Sequence, residues 1–211
     1  MESQSGLAML HPRVWGAIEH SGNRRVAAIV MHPASNFMGH YLITPLSERG
    51  VSCMGLNSRF VNNDSQLIME RVIQDLGAGV KWLRQEGYEK IVLIGNSGGA
   101  ALASFYQAQA ERLTVTRTPA GDPIDLSADD LPPVDGIILA AAHSGRSRLF
   151  AEWIDPAVID EADSLSADPA LDMFNPDNGP PFKAEWLANY RAAQVARRAR
   201  LDAWALARLR Q

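Results

Sequence analysis

The sequence predicts an α/β protein built on a doubly wound, mostly parallel sheet, followed by a C-terminal helical lid segment. Three observations carry this expectation. Apolar runs at 25–31, 90–94 and 135–142 have the unbroken hydrophobicity of strands buried on both faces. Segments with helical spacing or helix stop signals lie between and after them, at 39–49, 66–86 and 100–113. The resulting alternation of strand and helix implies right-handed crossovers, and hence a parallel sheet covered on both faces.

Each element has its own signal. Residues 14–18 (Val-Trp-Gly-Ala-Ile) suit a short edge strand. The 25–31 run is bounded by Ser21-Gly22-Asn23 before it and His32-Pro33 after it. Residues 39–49 read as a helix stopped by Gly50, and 50–56 as a weaker second strand. In 66–86, Leu67, Ile68, Val72, Leu76, Val80 and Leu83 fall near helical spacing, and Gly87 stops the helix. Residues 90–94 (Lys-Ile-Val-Leu-Ile) are the clearest buried strand; a glycine-rich turn and a helix over 100–113 follow. Residues 117–133 carry Pro119, Pro123, Pro132 and Pro133 and read as an irregular excursion. The chain then returns to a buried strand at 135–142.

Composition narrows the class. A chain of 211 residues can bury roughly 70% of its unfolded surface, enough for a full core. With 46% hydrophobic and 21% charged residues it is neither disordered nor collagen-like. A net charge of −4 gives no basis for a whole-domain nucleic-acid binder. The single cysteine, Cys53, allows no internal disulfide and no cysteine-based zinc site; it points to the cytoplasm and suits a small buried residue. No apolar stretch is long enough to span a membrane, and Met1–Met9 lacks the pattern of a signal peptide.

The composition changes after Gly145. The predicted division is a core over 1–145 and a mainly helical lid over 146–211. Acidic residues crowd 152–177 without the spacing of a calcium loop and suit a solvated lid surface. Leu187, Tyr190, Leu201 and Trp204 fall on one helical stripe of an arginine-rich helix, whose charges suit a solvated face.

The chemistry-bearing motif is Gly95-Asn96-Ser97-Gly98-Gly99, a G-x-S-x-G with a strand before it and a helix after it. In that context a serine sits on a sharp, strained turn at the positive end of the following helix. Glycines two residues to either side let strand and helix approach closely. The Gly98 N–H can then face a developing oxyanion. A phosphate cradle is the competing reading, but a dinucleotide fingerprint follows the first strand and has an acidic residue about 20 positions on. The loop His32-Pro33-Ala34-Ser35-Asn36-Phe37 lies where a second oxyanion donor is expected; Pro33 lacks an N–H, leaving Ala34 first and Ser35 second.

On Val26–Phe37, Ile91–Ala101 and the element order between them, the chain resembles the α/β-hydrolase superfamily of serine esterases and lipases over about 145 residues. The His32-Pro33 pair departs from the family's more usual His-Gly. The resemblance implies ester or thioester hydrolysis through an acyl-serine intermediate, with Ser97 as nucleophile and Gly98 and Ala34 as oxyanion donors. It implies a small-molecule acyl substrate bordered by His32, Ser35, Asn96 and His143. It implies no metal or organic cofactor, and neither nucleic acid nor membrane as partner. The family's acid and histidine come later in chain order, and no histidine follows His143, so the chain is expected to lack both. Alternatives remain: a complete chain using His32 or His143 as an unusual base, or a non-catalytic binding protein on the same scaffold. Otherwise His32 shapes the oxyanion loop and His143 lines the pocket. Asn57, Arg59, Asn63 and Asp64 suit a pocket wall or an Arg–Asp pair that holds a loop. An unfinished sheet edge after 135–142 would favour a homo-oligomer.

Overall fold

The computed structural model describes residues 12–209, and the chain divides between His143 and Ser144 into two compact units. In the first unit β1 (Gly16–Glu19), β2 (Val26–His32), β3 (Ser52–Asn57), β4 (Lys90–Asn96) and β5 (Gly136–Ala140) form one sheet in the order β1-β3-β2-β4-β5. The last four are mutually parallel, and β1 runs antiparallel on the outer side of β3. Among the described residues the unit also holds the α-helices α1 (Ile43–Ser47), α2 (Met69–Gln85) and α3 (Gly98–Glu111). The strand that leads into the Gly95–Gly99 turn, β4, thus lies between β2 and β5.

Strand alternation builds two cores. Ala27, Ile29 and Met31 of β2 pack with Leu56, Leu93 and the inner faces of α2 and α3. The intervening Ala28 and Val30 pack with Cys53, Ile94 and Ile43 of α1. This two-sided burial explains the unbroken apolar runs. On α2, Val72, Ile73, Leu76, Val80 and Leu83 form the buried stripe. Gly79 lets the helix lie close to the sheet, because a Cβ there would fall 2.6 Å from Leu56 Cδ2.

Several expectations are corrected. The 39–49 helix shrinks to α1, because residues 37–43 form successive tight turns, with His40 N–H donating to the Phe37 carbonyl and Ile43 N–H to that of His40. The 66–86 helix starts at Met69, after a separate short turn over Asp64–Gln66. The 50–56 strand, read as weak, is buried along the whole of β3. Conversely β5 is not the buried strand expected: Ile138 is 53% and Leu139 52% exposed, because β5 is an edge strand paired only with β4. The 117–133 excursion is irregular, as expected, and is tied down where it rejoins the sheet. Tyr106 Oη donates to the Pro132 carbonyl at 2.6 Å, and Val134 N–H donates to the Gln107 side chain at 3.0 Å.

The second unit holds α4 (Arg146–Trp153), a hairpin of β6 (Val158–Asp160) and β7 (Asp163–Ala167), a run of turns, and α5 (Ala184–Leu209). Helix makes up most of the regular structure in this unit, and the hairpin is an added element that the sequence pattern does not predict. Its physical cause lies in the acidic run: Asp155, Asp160, Asp163, Asp168 and Asp172 each accept the N–H two residues on, giving repeated Asx turns. The stripe predicted on α5 also shifts. Tyr190 is buried, but Leu187 is 40% and Trp204 62% exposed. The inward position after Tyr190 is polar instead: buried Gln194 donates to the carbonyls of Glu152 and Ile154 at the end of α4. Helix-end carbonyls lack intrahelical partners, so a donor there is better placed than a hydrocarbon.

Candidate functional site

The site lies at the carboxyl end of the sheet. β4 ends at Asn96, and Ser97 follows with φ 53° and ψ −119°, a backbone conformation that L-residues rarely adopt. Two neighbours hold it there: Ser97 N–H donates to the Ala140 carbonyl at 3.0 Å, and its own carbonyl accepts Ala100 N–H at 3.0 Å. Ser97 is exposed and caps the N-terminus of α3, where the helix dipole is positive. The flanking glycines make the sharp turn feasible. A Cβ on Gly95 would fall 2.5 Å from Ala100 Cα, and one on Gly99 would overlap the Met31 carbonyl. Both obstacles are backbone, which cannot swing away.

His32 ends β2, the neighbouring strand. A Cβ on Gly98 would lie 2.8 Å from His32 Nε2, so the imidazole sits against the turn after Ser97. Its other nitrogen, Nδ1, accepts the N–H groups of Ala34 at 3.3 Å and Ser35 at 3.1 Å. An acceptor at Nδ1 requires the neutral ring with its proton on Nε2. The two loop amides therefore converge on one nitrogen of a ring whose other nitrogen lies beside Gly98. Ala34 is buried and Ser35 exposed. Beyond His32 the rings of Phe37, His40 and Tyr41 follow in a stacked row with centroid separations of 5.6, 4.7 and 4.3 Å. Burial lowers the His40 pKa from its ordinary value.

The remaining predicted positions have these places. Asn96 is half-buried at the last position of β4. His143 is half-buried three residues past the end of β5, the other neighbour of β4. Arg59 does hold a loop through an aspartate, but the partner is Asp75 of α2 at 2.6 Å and not Asp64. Cys53 is fully buried; burial, reinforced by the Glu19 charge, raises its thiol to about 11.

The sequence reading missed how the 33–37 loop is held. Ser58 Oγ donates to the Pro33 carbonyl at 2.5 Å and accepts Phe60 N–H at 3.0 Å. Asn62 N–H donates to the Ala34 carbonyl at 2.7 Å. Asn57 Oδ1 accepts Phe37 N–H at 2.8 Å, and its Nδ2 donates to Asn36 Oδ1 at 3.0 Å. The available signal was a polar Asn57-Ser58 pair directly after an apolar strand.

Among the described residues, no cluster of three or more His, Cys, Asp or Glu side chains could hold a metal ion, and no helix is long and apolar enough to cross a membrane. No family model matches the chain, and no curated protein matches it. Among solved structures, one described as a carboxylesterase of the ammonia-oxidizing Thaumarchaeon Nitrososphaera gargenis is similar at 20% identity, with a TM-score of 0.41 over 92% of this chain and 71% of that one.

Proposed function

We propose that this protein is a serine hydrolase acting on a carboxylic ester or thioester, with Ser97 as the nucleophile. The observation that carries the reading is the conformation of Ser97: an exposed serine on a left-handed, strained turn between a parallel strand and a helix N-terminus. A backbone cost of about 1–3 kcal/mol at an exposed residue calls for a use of that hydroxyl.

In the proposed reaction Ser97 Oγ attacks the acyl carbon and gives up its proton to solvent water, the general base of the resemblance being no part of this step. The tetrahedral oxyanion is met by Gly98 N–H at the start of α3 and by Ala34 N–H. Collapse breaks the bond to the leaving oxygen or sulfur, which takes up the proton, and water then hydrolyses the acyl-serine. Because His32 Nδ1 already accepts two amides, His32 serves in this reading to shape the loop rather than to take the serine proton. The ring occupies the point on which those amides converge, so a substrate oxygen gains them as the imidazole swings aside. Asn96, Ser35 and His143 border the acyl substrate. The reading invokes no cofactor, nucleic acid or membrane; the lone buried thiol fits a reducing compartment such as the cytoplasm, and the open edge of β5 would serve a homo-oligomer.

The test is turnover of short-chain p-nitrophenyl esters and a matched thioester. Ser97→Ala is expected to reduce hydrolysis to the rate of buffer with inert protein. A variant that kept the wild-type rate would remove Ser97 from the reaction.

A further inference from the structure

We infer that Ser58 is a positioning residue that aims the Ala34 amide, and that Asn62 does the same for Ser35 through its backbone. This rests on the reading of Ser97 as nucleophile and of the 33–37 loop as the oxyanion loop. Peptide planarity ties each loop amide to the carbonyl before it. In a trans peptide the carbonyl of one residue and the N–H of the next lie in one rigid plane and point in opposite directions. Whatever fixes the carbonyl fixes the amide.

The two peptides that matter are held this way. Ser58 Oγ–H grips the Pro33 carbonyl, so it sets the direction of Ala34 N–H. Asn62 N–H grips the Ala34 carbonyl, so it sets the direction of Ser35 N–H. Both amides consequently point to the same place, now taken by His32 Nδ1. Asn57 closes the far end of the loop through Phe37 N–H, and it is the register partner of His32 across the β2–β3 ladder. One segment, 57–62, thus holds both ends of the loop while leaving two N–H groups directed at His32 Nδ1, on the ring that lies against the turn after Ser97.

That segment is itself rigidly mounted. Asp75, buried on α2, accepts Arg59 N–H at 2.8 Å and the Arg59 guanidinium at 2.6–3.1 Å. Gly55 lacks a side chain where the Phe37 carbonyl rests on β3. Ser58 is 3% exposed and Asn57 5% exposed, and buried polar groups at a strand end cost stability unless every bond is made. Such second contacts are what hold a catalytic group within the tolerance that catalysis needs.

The experiment compares Ser58→Ala with Tyr106→Phe in the full chain. Tyr106 makes the same kind of bond, hydroxyl to a proline carbonyl, elsewhere in this unit. Two readouts are taken at a temperature where all variants are folded: the second-order rate of Ser97 labelling by a fluorophosphonate, and hydrogen exchange at the Ala34 and Ser35 amides. Ser58→Ala is expected to slow labelling about tenfold, as loss of one oriented hydrogen bond implies. Ala34 exchange should accelerate about tenfold. Tyr106→Phe should leave both unchanged, and Ser58→Thr, which keeps the hydroxyl, should recover most of the labelling. Equal slowing in Ser58→Ala and Tyr106→Phe, or unchanged Ala34 exchange in Ser58→Ala, overturns the inference. If the wild type is not labelled at all, the nucleophile reading fails, while Ala34 exchange still decides whether Ser58 aims that peptide.

Discussion

Replacing Ser97 with glycine should stabilise the first unit relative to replacing it with alanine. Ser97 has φ 53° and ψ −119°, a region closed to side chains by contact between Cβ and the backbone. Holding an L-residue there costs about 1–3 kcal/mol, and alanine keeps that cost because it keeps Cβ. Glycine removes it but gives up about 0.5–1 kcal/mol of extra freedom in the unfolded chain. The net expectation is that Ser97→Gly exceeds Ser97→Ala by about 1 kcal/mol. Both variants lack the hydroxyl, so their difference isolates the backbone. The chain has two compact units, so the assay must report on the first. Hydrogen exchange of the Leu93 amide, inside β4, measured in a urea series, does so. A Ser97→Gly variant equal to or less stable than Ser97→Ala would refute the claim that the elbow is strained, and with it the structural warrant for the hydroxyl's use.

Further outcomes follow from the same geometry. Asp75→Ala leaves the Arg59 guanidinium, only 15% exposed, without its carboxylate and with Gln74 Oε1 as its remaining acceptor, and should cost about 3 kcal/mol in urea denaturation of the first unit. Gly95→Ala drives a Cβ to 2.5 Å from Ala100 Cα and should cost about 3 kcal/mol or prevent folding, read by the same denaturation series. Asp135 is subject to a burial effect that would raise its pKa, but the Ile91 N–H, Lys90 and Arg84 outweigh it and hold the group at about 2. A folded pKa below the unfolded one stabilises above the unfolded value and loses that benefit as pH falls. Asp135 should therefore contribute about 1 kcal/mol at neutral pH, after solvent screening, that disappears between about pH 4 and 2. Asp135→Asn should flatten the pH–stability curve in that window.

The legible parts of this fold are those where local pattern and tertiary setting agree. β2 and β4 are buried on both faces, so their residues are apolar without alternation, and that run is visible in one dimension. The Ser97 turn was legible because its glycines are demanded by backbone approach, which few other residues satisfy. β5 reads like β4 in sequence, yet Ile138 and Leu139 face solvent, because exposure of an edge depends on which strand lies beside it. The aspartate that Arg59 pairs with, Asp75, lies a helical turn and more into α2, and only folding brings it back beside a loop that also carries Asp64. Gln194 occupies a buried position that hydropathy assigns to the surface, since the α4 carbonyls it serves are some 40 residues away in the chain, at Glu152 and Ile154. Ser58 is the same kind of case at the candidate site: nothing in a serine after a strand says which carbonyl it will hold.

Mapping of a fluorophosphonate adduct asks whether the Ser97 hydroxyl is the reacting nucleophile. The protein is treated with the probe, digested, and the modified peptide identified by mass spectrometry. The account predicts a single adduct on Ser97 within the strand–turn–helix of β4 and α3, absent after heat denaturation and absent in Ser97→Ala. An unmodified protein, or an adduct of equal yield on Ser35 or another exposed hydroxyl, would contradict it.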